Sequence, residues 1–168
     1  HPTPLTLLTP QARSRSDARR GPVPPRQEPQ HPSSGTPYEE PIRFSRAVRV
    51  GDRGIVAGTA PNWPDGHVDP DVEVQTDRCI EIMLTALAEA GATADEVVRT
   101  RTFLVDAADW EAAGRAHGRH FRTARPASTM VVVTGFIDPR WRVEMEAEAI
   151  IGSRTDREAA STDWAVSR

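Results

Sequence analysis

From Val143 to Ala149 every second side chain is apolar, and every position between them is a glutamate. A period of two belongs to a β-strand, whose successive side chains point to opposite faces. One face of this strand carries Val143, Met145, Ala147 and Ala149, and the other carries Glu144, Glu146 and Glu148. A sheet built around it has a dry side that must be covered and a charged side that must be neutralised.

The preceding segments supply the cover. Phe44, Arg46, Val48 and Val50 alternate with Ser45, Ala47 and Arg49, which predicts a strand. Gly51-Asp52 turns the chain, and Gly54–Gly58 returns as the second strand of a hairpin. The turn formers of Pro61–Gly66 make a loop. Asp69-Pro70 predicts an N-cap with proline at the first helical position. From there Val72, Cys79, Met83, Ala86, Leu87 and Ala90 fall near helical spacing, and Gly91 ends the helix as a left-handed cap. A third strand is expected over Val97–Val105. A second helix starts at Asp109, carries Trp110, Ala113, His117 and Phe121 on one face, and is stopped by Pro126. Thr129–Thr134 predicts a fourth strand, and after the Asp138-Pro139 turn Arg142–Ile151 forms the fifth. The order ββαβαββ predicts an α+β fold: one mixed β-sheet with both helices packed on one face. The other face is buried most economically by another copy of the chain.

Composition limits the chemistry. All 21 basic residues are arginine, so there is no lysine for a Schiff base, for pyridoxal phosphate or for a phosphate loop. A single cysteine, Cys79, forms no internal disulfide and no cysteine zinc cluster. No apolar run approaches the roughly 20 residues that cross a bilayer, and Leu5–Leu8 is too short for a signal core, so we expect a cytoplasmic protein without membrane contact. Nine of the 15 prolines lie between Pro2 and Pro37. We therefore expect residues 1–36 to be a flexible Pro/Arg-rich arm, 37–152 the folded domain and 153–168 a C-terminal tail. Residues 1–37 carry a net +3 and residues 38–152 a net −6. An acidic domain is a poor match for nucleic acid, where affinity comes from neutralising phosphates.

Several ordered landmarks resemble one known family. Phe44-Ser45-Arg46-Ala47-Val48 is similar to a P-Y-S-Q-A-V opening strand, and Val56-Ala57-Gly58-Thr59-Ala60-Pro61 to an S-G-Q-I-P segment. Gln75-Thr76 matches Q-T at the start of the first helix, and Val98–Asp106 matches V-K-x-T-V-F-L-x-D. Arg125–Thr129 corresponds to R/F-P-A-R-S, and Val143–Ala147 to the closing V-E-I-E-A strand. In these features residues 37–152 resemble the Rid superfamily, the YjgF-like reactive-intermediate deaminases with the older label endoribonuclease L-PSP. The resemblance implies a chorismate-mutase-like Rid fold and a homotrimer with small-molecule clefts between subunits. It implies hydrolysis of enamines or imines to a carbonyl and ammonia, with no cofactor and no metal.

Carried over position by position, the resemblance makes Glu144 the catalytic acid or base, and Gly58 the place where backbone approaches the ligand. Thr59 lies next to it. Ser128 stands where the family carries the arginine that grips a carboxylate, Phe44 replaces the family tyrosine, and Gly114 replaces a polar asparagine. These departures mark a diverged subgroup. Arg46 and Arg101 are the candidates to replace the missing guanidinium clamp. Glu146 and Glu148, with Arg99 and Arg101, read as cross-strand ion pairs. His117 and His120 lie three apart on a helix without a visible third ligand, so packing is the expected role. Cys79, among Ile82, Met83 and Leu87, reads as an inert buried thiol. Trp63 sits in a loop able to cap a cleft or pack on a neighbour. The first functional expectation is a cofactor-free enzyme adding water to an imine or enamine. The alternative is a non-catalytic metabolite-binding protein using the same cleft. Ribonuclease activity is disfavoured by the acidic domain.

Overall fold

The computed structural model describes residues 27–33 and 37–154. The remainder of the expected arm and tail lies outside the described residues. A single helical turn α1 (Glu39–Ile42) precedes the hairpin β1 (Ala47–Val50) and β2 (Arg53–Thr59). Helix α2 (Val72–Glu89), strand β3 (Val97–Leu104), helix α3 (Trp110–His120), and strands β4 (Ala127–Val132) and β5 (Val143–Ile150) follow. The five strands form one sheet in the order β1-β2-β5-β3-β4. Only β3 and β4 run parallel; the other pairs are antiparallel. The α+β fold with one mixed sheet stands as the alternation predicts, and its most regular strand, β5, lies at the centre.

The two faces of β5 sort as their chemistry demands. Val143, Met145, Ala147 and Ala149 are all buried and pack with Cys79, Ile80, Met83 and Leu87 of α2. Their burial is the main stabilising term, at roughly 1.5–3 kcal/mol for each large apolar side chain. The opposite face carries an ionic ladder: Arg101 meets Glu146 at 2.9 Å, and Arg53 meets Glu148 at 3.2 Å. Cross-strand pairing of Arg101 with Glu146 sets this contact directly. Ile55 and Val131 remain 43% and 44% exposed, on the strands flanking that ladder.

Several readings differ from expectation: β1 begins at Ala47 rather than Phe44, and α3 ends at His120, before Pro126. The N-cap of α2 is Asp71, whose carboxylate accepts from Glu73 N at 2.7 Å; Asp69 instead accepts from Asp71 N at 2.9 Å. Two successive aspartate turns thus feed the helix, and the second one caps it. β4 begins two residues early, because Arg125 takes a left-handed φ of 48° and Pro126 follows, so the chain is extended from Ala127 onward. Trp110 is 59% exposed rather than packed. The inward residue at that turn is Asp109, whose carboxylate holds the Arg142 guanidinium at 2.7 and 3.0 Å. Gly91 has φ +86°, the left-handed stop that its position predicts.

Part of the proline-rich segment lies along the outer edge of β1. Gln30 and Arg49 exchange two backbone hydrogen bonds of 2.9 Å, and Pro32 O accepts from Ala47 N at 3.3 Å. An edge strand offers unpaired backbone groups, and a proline neighbour fills that edge without needing to donate. No helix among the described residues is long and apolar enough to cross a membrane.

Gln75 is the internal fastening of this arrangement. It is fully buried; its Nε2 donates to Asp69 O at 2.7 Å and Arg140 O at 3.0 Å, and its Oε1 accepts from Arg142 N at 2.7 Å. One side chain thus ties the entry to α2 to the entry to β5. Gln75→Leu keeps the volume and strands three backbone groups, so urea unfolding is expected to show a loss of at least about 2 kcal/mol.

Candidate functional site

The site begins with a surplus residue. Val56 pairs with Ala147, yet Thr59 pairs with Met145, so β2 spends three residues where β5 spends two. This bulge displaces Ala57 and Gly58 from the ladder, as bulges do where a strand must be re-aimed. It brings the Gly58 backbone against the side chain of Glu144. A Cβ built at Gly58 would collide with Glu144 Oε1 and stand 3.5 Å from its carboxyl carbon. Only glycine lets the carboxyl group lie there.

Arg46 closes the other side. It is 7% exposed, and its Nη1 donates to Gly58 O at 2.7 Å and to Thr59 Oγ1 at 3.1 Å. Thr59 Oγ1 in turn donates to Ala57 O at 2.8 Å, so the bulge is stitched from both directions. The Arg46 guanidinium lies 5.5 Å from the centroid of the Phe44 ring. Glu144, Gly58, Thr59, Arg46 and Phe44 therefore form one cluster at the β1–β2–β5 corner.

Opposing forces act on the Glu144 carboxyl. Partial burial raises its pKa above 4.5; Arg46 pulls it down, and Glu146 adds a smaller upward push. Burial lowers the pKa of Arg46, opposed by Glu39 and Glu144. A carboxyl group with a raised pKa, leaning on backbone rather than paired in a tight salt bridge, is suited to accept and return a proton.

The other expected site residues stand apart within one chain. Ser128 is aligned with Thr100, whose hydroxyl meets His117 Nε2 at 2.9 Å on the helix side. Glu144 lies on the opposite face, aligned with Phe103. Gly114 belongs to α3, where a Cβ added to it would meet nothing within 4 Å. Arg101 shares the face of Glu144 but is engaged by Glu146. His117 also packs on Phe121 at 4.8 Å, and its pKa is lowered by burial and then by His120. His120 meets Asp77 at 2.9 Å. No group of three metal-binding side chains occurs among the described residues. Cys79 is fully buried, and burial pushes its thiol pKa well up, away from a nucleophile's range.

Sequence reasoning misses the bulge and the anchoring of Arg46 on Gly58 and Thr59. It also misses a cavity beside the cluster, lined by Tyr38, Trp63 and Arg78 among others, where Arg78 stands 6.0 Å from the Trp63 ring. The one signal for the bulge is Gly58 beside Thr59 within an otherwise apolar strand.

The cluster predicts a pH-dependent defect. Arg46→Met removes the cation that opposes burial, so the folded-state pKa of Glu144 rises further. A raised carboxyl pKa favours the folded state when protonated, and that contribution is lost as pH rises through the folded value. The variant is therefore expected to lose about 2 kcal/mol near neutral pH and markedly less near pH 4, measured by urea unfolding at both.

Comparison with known proteins agrees with the geometry. The family model described as Endoribonuclease L-PSP matches residues 38–151. The uncharacterised protein SCO2049 of Streptomyces coelicolor is 44% identical over 123 residues, covering 71% of this chain and 90% of that protein. A RutC family protein of Pyrococcus abyssi is 33% identical over 108 residues, covering 63% of this chain and 84% of that protein. Among solved structures, Rv2704 of Mycobacterium tuberculosis, described as a member of the YjgF/YER057c/UK114 family, superposes with a TM-score of 0.68. That match has 37% identity and covers 74% of this chain and all of the other. With its mixed sheet, its bulged second strand and its matched sequence over residues 38–151, this chain belongs to the endoribonuclease L-PSP family, the YjgF/Rid proteins.

Proposed function

We propose that this protein adds water to a small enamine or imine in a cleft completed between the subunits of a homotrimer. The observation that carries the reading is the half-buried Glu144 carboxyl, set against the Gly58 backbone with its pKa raised. As a carboxylate, Glu144 takes a proton from water as the oxygen bonds to the C=N carbon. As the acid, it returns that proton to nitrogen. The carboxylate then takes the proton of the new hydroxyl and passes it to nitrogen as the C–N bond breaks, a C=O forms and ammonia leaves. An enamine first gains a proton at carbon and loses one from nitrogen to become the imine. The chain's own residues suffice for these steps, so the reading calls for no metal or cofactor.

Ser128, in place of an arginine, supports a narrower substrate choice. A hydroxyl offers one donor, whereas a guanidinium pairs bidentately with a carboxylate. The same substitution supports the alternative reading, a protein that binds a metabolite in this cleft without turning it over. Retention of Glu144 favours turnover.

Ammonia release from 2-aminoacrylate generated in situ tests the proposal. The wild type is expected to exceed background, and Glu144→Gln to be slower by about 10²–10⁴-fold, the usual scale of one acid–base group. The carboxylate is the form that accepts water's proton. Activity is therefore expected to fall as pH drops through an ionisation above 4.5, and that limb is expected to vanish in Glu144→Gln. Equal rates for the two proteins would remove Glu144 from the mechanism. No release by the wild type, with thermal-shift binding of oxo acids that survives Glu144→Gln, would favour the binding protein.

A further inference from the structure

The Arg46 guanidinium is engaged by more than the bulge. Two carboxylates act on its charge, Glu39 more strongly than Glu144, with a smaller contribution from Cys79. Glu144 is the acid–base group of the reaction proposed above, and Glu39 takes no proton in it. We propose that Glu39 is a positioning residue: it shares the Arg46 guanidinium with Glu144 and so keeps that cation from closing on the Glu144 carboxylate as an ordinary ion pair.

The backbone delivers Glu39 to this place. Glu39 opens α1, and its carbonyl oxygen accepts from Arg43 N at 2.9 Å and from Phe44 N at 3.3 Å, so the turn leads straight into Phe44. Arg43 takes a left-handed φ of 62° at that exit, a conformation that a non-glycine residue keeps only where its surroundings enforce it. The Phe44 ring in turn lies 5.5 Å from the Arg46 guanidinium. From the other side, the Ser33 hydroxyl donates to Glu39 Oε2. Ser33 is itself carried along β1, because His31 Nδ1 meets Ser45 Oγ at 3.0 Å and Pro32 O accepts from Ala47 N at 3.3 Å. Residues 31–33 therefore touch both chain neighbours of Arg46 and hold the Glu39 carboxylate as well. Glu39 is half-buried, whereas the next residue, Glu40, is exposed and pairs with Arg43 at 2.8 Å. Two consecutive acids thus have different surroundings.

Arg46 is 7% exposed, so water screens its charge poorly. Were Glu144 its sole counter-charge, the two would form a buried salt bridge, and such a carboxylate releases its proton too readily to hold one for transfer. A second carboxylate divides the attraction. The influence on Glu144 passes through Arg46: Glu144 itself responds to burial, Arg46 and Glu146. Tyr38 and Arg78 line the same cavity as Arg46, but Arg78 is paired with Glu81 at 3.2 Å. The part of Glu39 in turnover rests on the reading of Glu144 as the acid–base group, whereas its test is read without turnover.

Carboxyl titration of the full-length chain by carbon-detected nuclear magnetic resonance tests the sharing. In Glu39→Gln, Arg46 is left to Glu144, and the Glu144 midpoint is expected to fall below its wild-type value. The acid limb of ammonia release is expected to move to lower pH with it. In Glu40→Gln both are expected to stay at their wild-type positions. In Arg46→Met nothing remains to be shared, so adding Glu39→Gln is expected to leave the Glu144 midpoint of that variant unchanged. Circular dichroism melting identifies any variant that fails to fold, and the comparison of Glu39→Gln with Glu40→Gln decides the matter if Arg46→Met is unstable. An unchanged or raised Glu144 midpoint in Glu39→Gln would overturn the proposal. So would an equal fall in Glu40→Gln, the mark of a general charge effect, or a fall that persists without Arg46, the mark of direct repulsion. Absence of ammonia release by the wild type, with the Glu39→Gln shift intact, would remove the proposed reaction and leave the sharing of Arg46 in place.

Discussion

The contact between the Glu144 carboxyl and the bare backbone of Gly58 is the interaction on which the site depends. It arises from one residue of excess in β2, which lifts Ala57 and Gly58 out of the ladder opposite β5. Without the bulge, Glu144 would be one more rung of the ionic ladder formed by Glu146 and Glu148. With it, the carboxyl is partly desolvated and faces the buried guanidinium of Arg46. Desolvation and the nearby cation oppose each other, and burial wins. The result is an acid that is neither locked in a salt bridge nor fully hydrated, which is the state that proton transfer requires.

That arrangement is possible because the sheet keeps its two faces chemically distinct. On the helix side, Met145 and Ala147 are sealed by α2, and Gln75 binds three backbone groups so that both chain entries are fixed. The core therefore holds β5 rigid while its glutamates stand on the other side. There, pairing with Arg101 and Arg53 neutralises Glu146 and Glu148, whereas Glu144 leans on backbone at the bulge. Rigid placement on a central strand suits a catalytic group better than a loop would. The charged face, with Ile55 and Val131 still partly exposed beside it, is the surface on which the proposed subunit contacts would form.

Local patterns make most of the fold legible. The strict alternation of Val143–Ala149 marks the central strand and its two faces, and Gly91 marks the end of α2, because both signals act over a few residues. Where two local signals compete, the chain path decides between them: Asp71, not Asp69, caps α2, and Asp109 turns inward to Arg142 while Trp110 stays outside. Within the site, Glu144, Gly58, Thr59, Arg46 and Phe44 are brought together by the structure. Ser128 and Gly114 lie on the helix side of the same chain, so a position inherited from a motif need not meet its partners inside one subunit. The bulge and the Tyr38–Trp63–Arg78 cavity leave no periodic trace, since each joins segments distant in sequence. Gln75 is visible as a motif residue, but its three backbone contacts follow only from the folded path of the chain.

The central claim is that partial burial, opposed but not cancelled by Arg46, holds the Glu144 proton more tightly than water would. Carbon-detected nuclear magnetic resonance of the glutamate carboxyl groups in the wild-type chain, titrated from acid to neutral pH, reads this directly. The account predicts a midpoint for Glu144 above 4.5. A midpoint at or below 4.5 would contradict it, since the carboxyl would then be hydrated or captured in an ordinary ion pair.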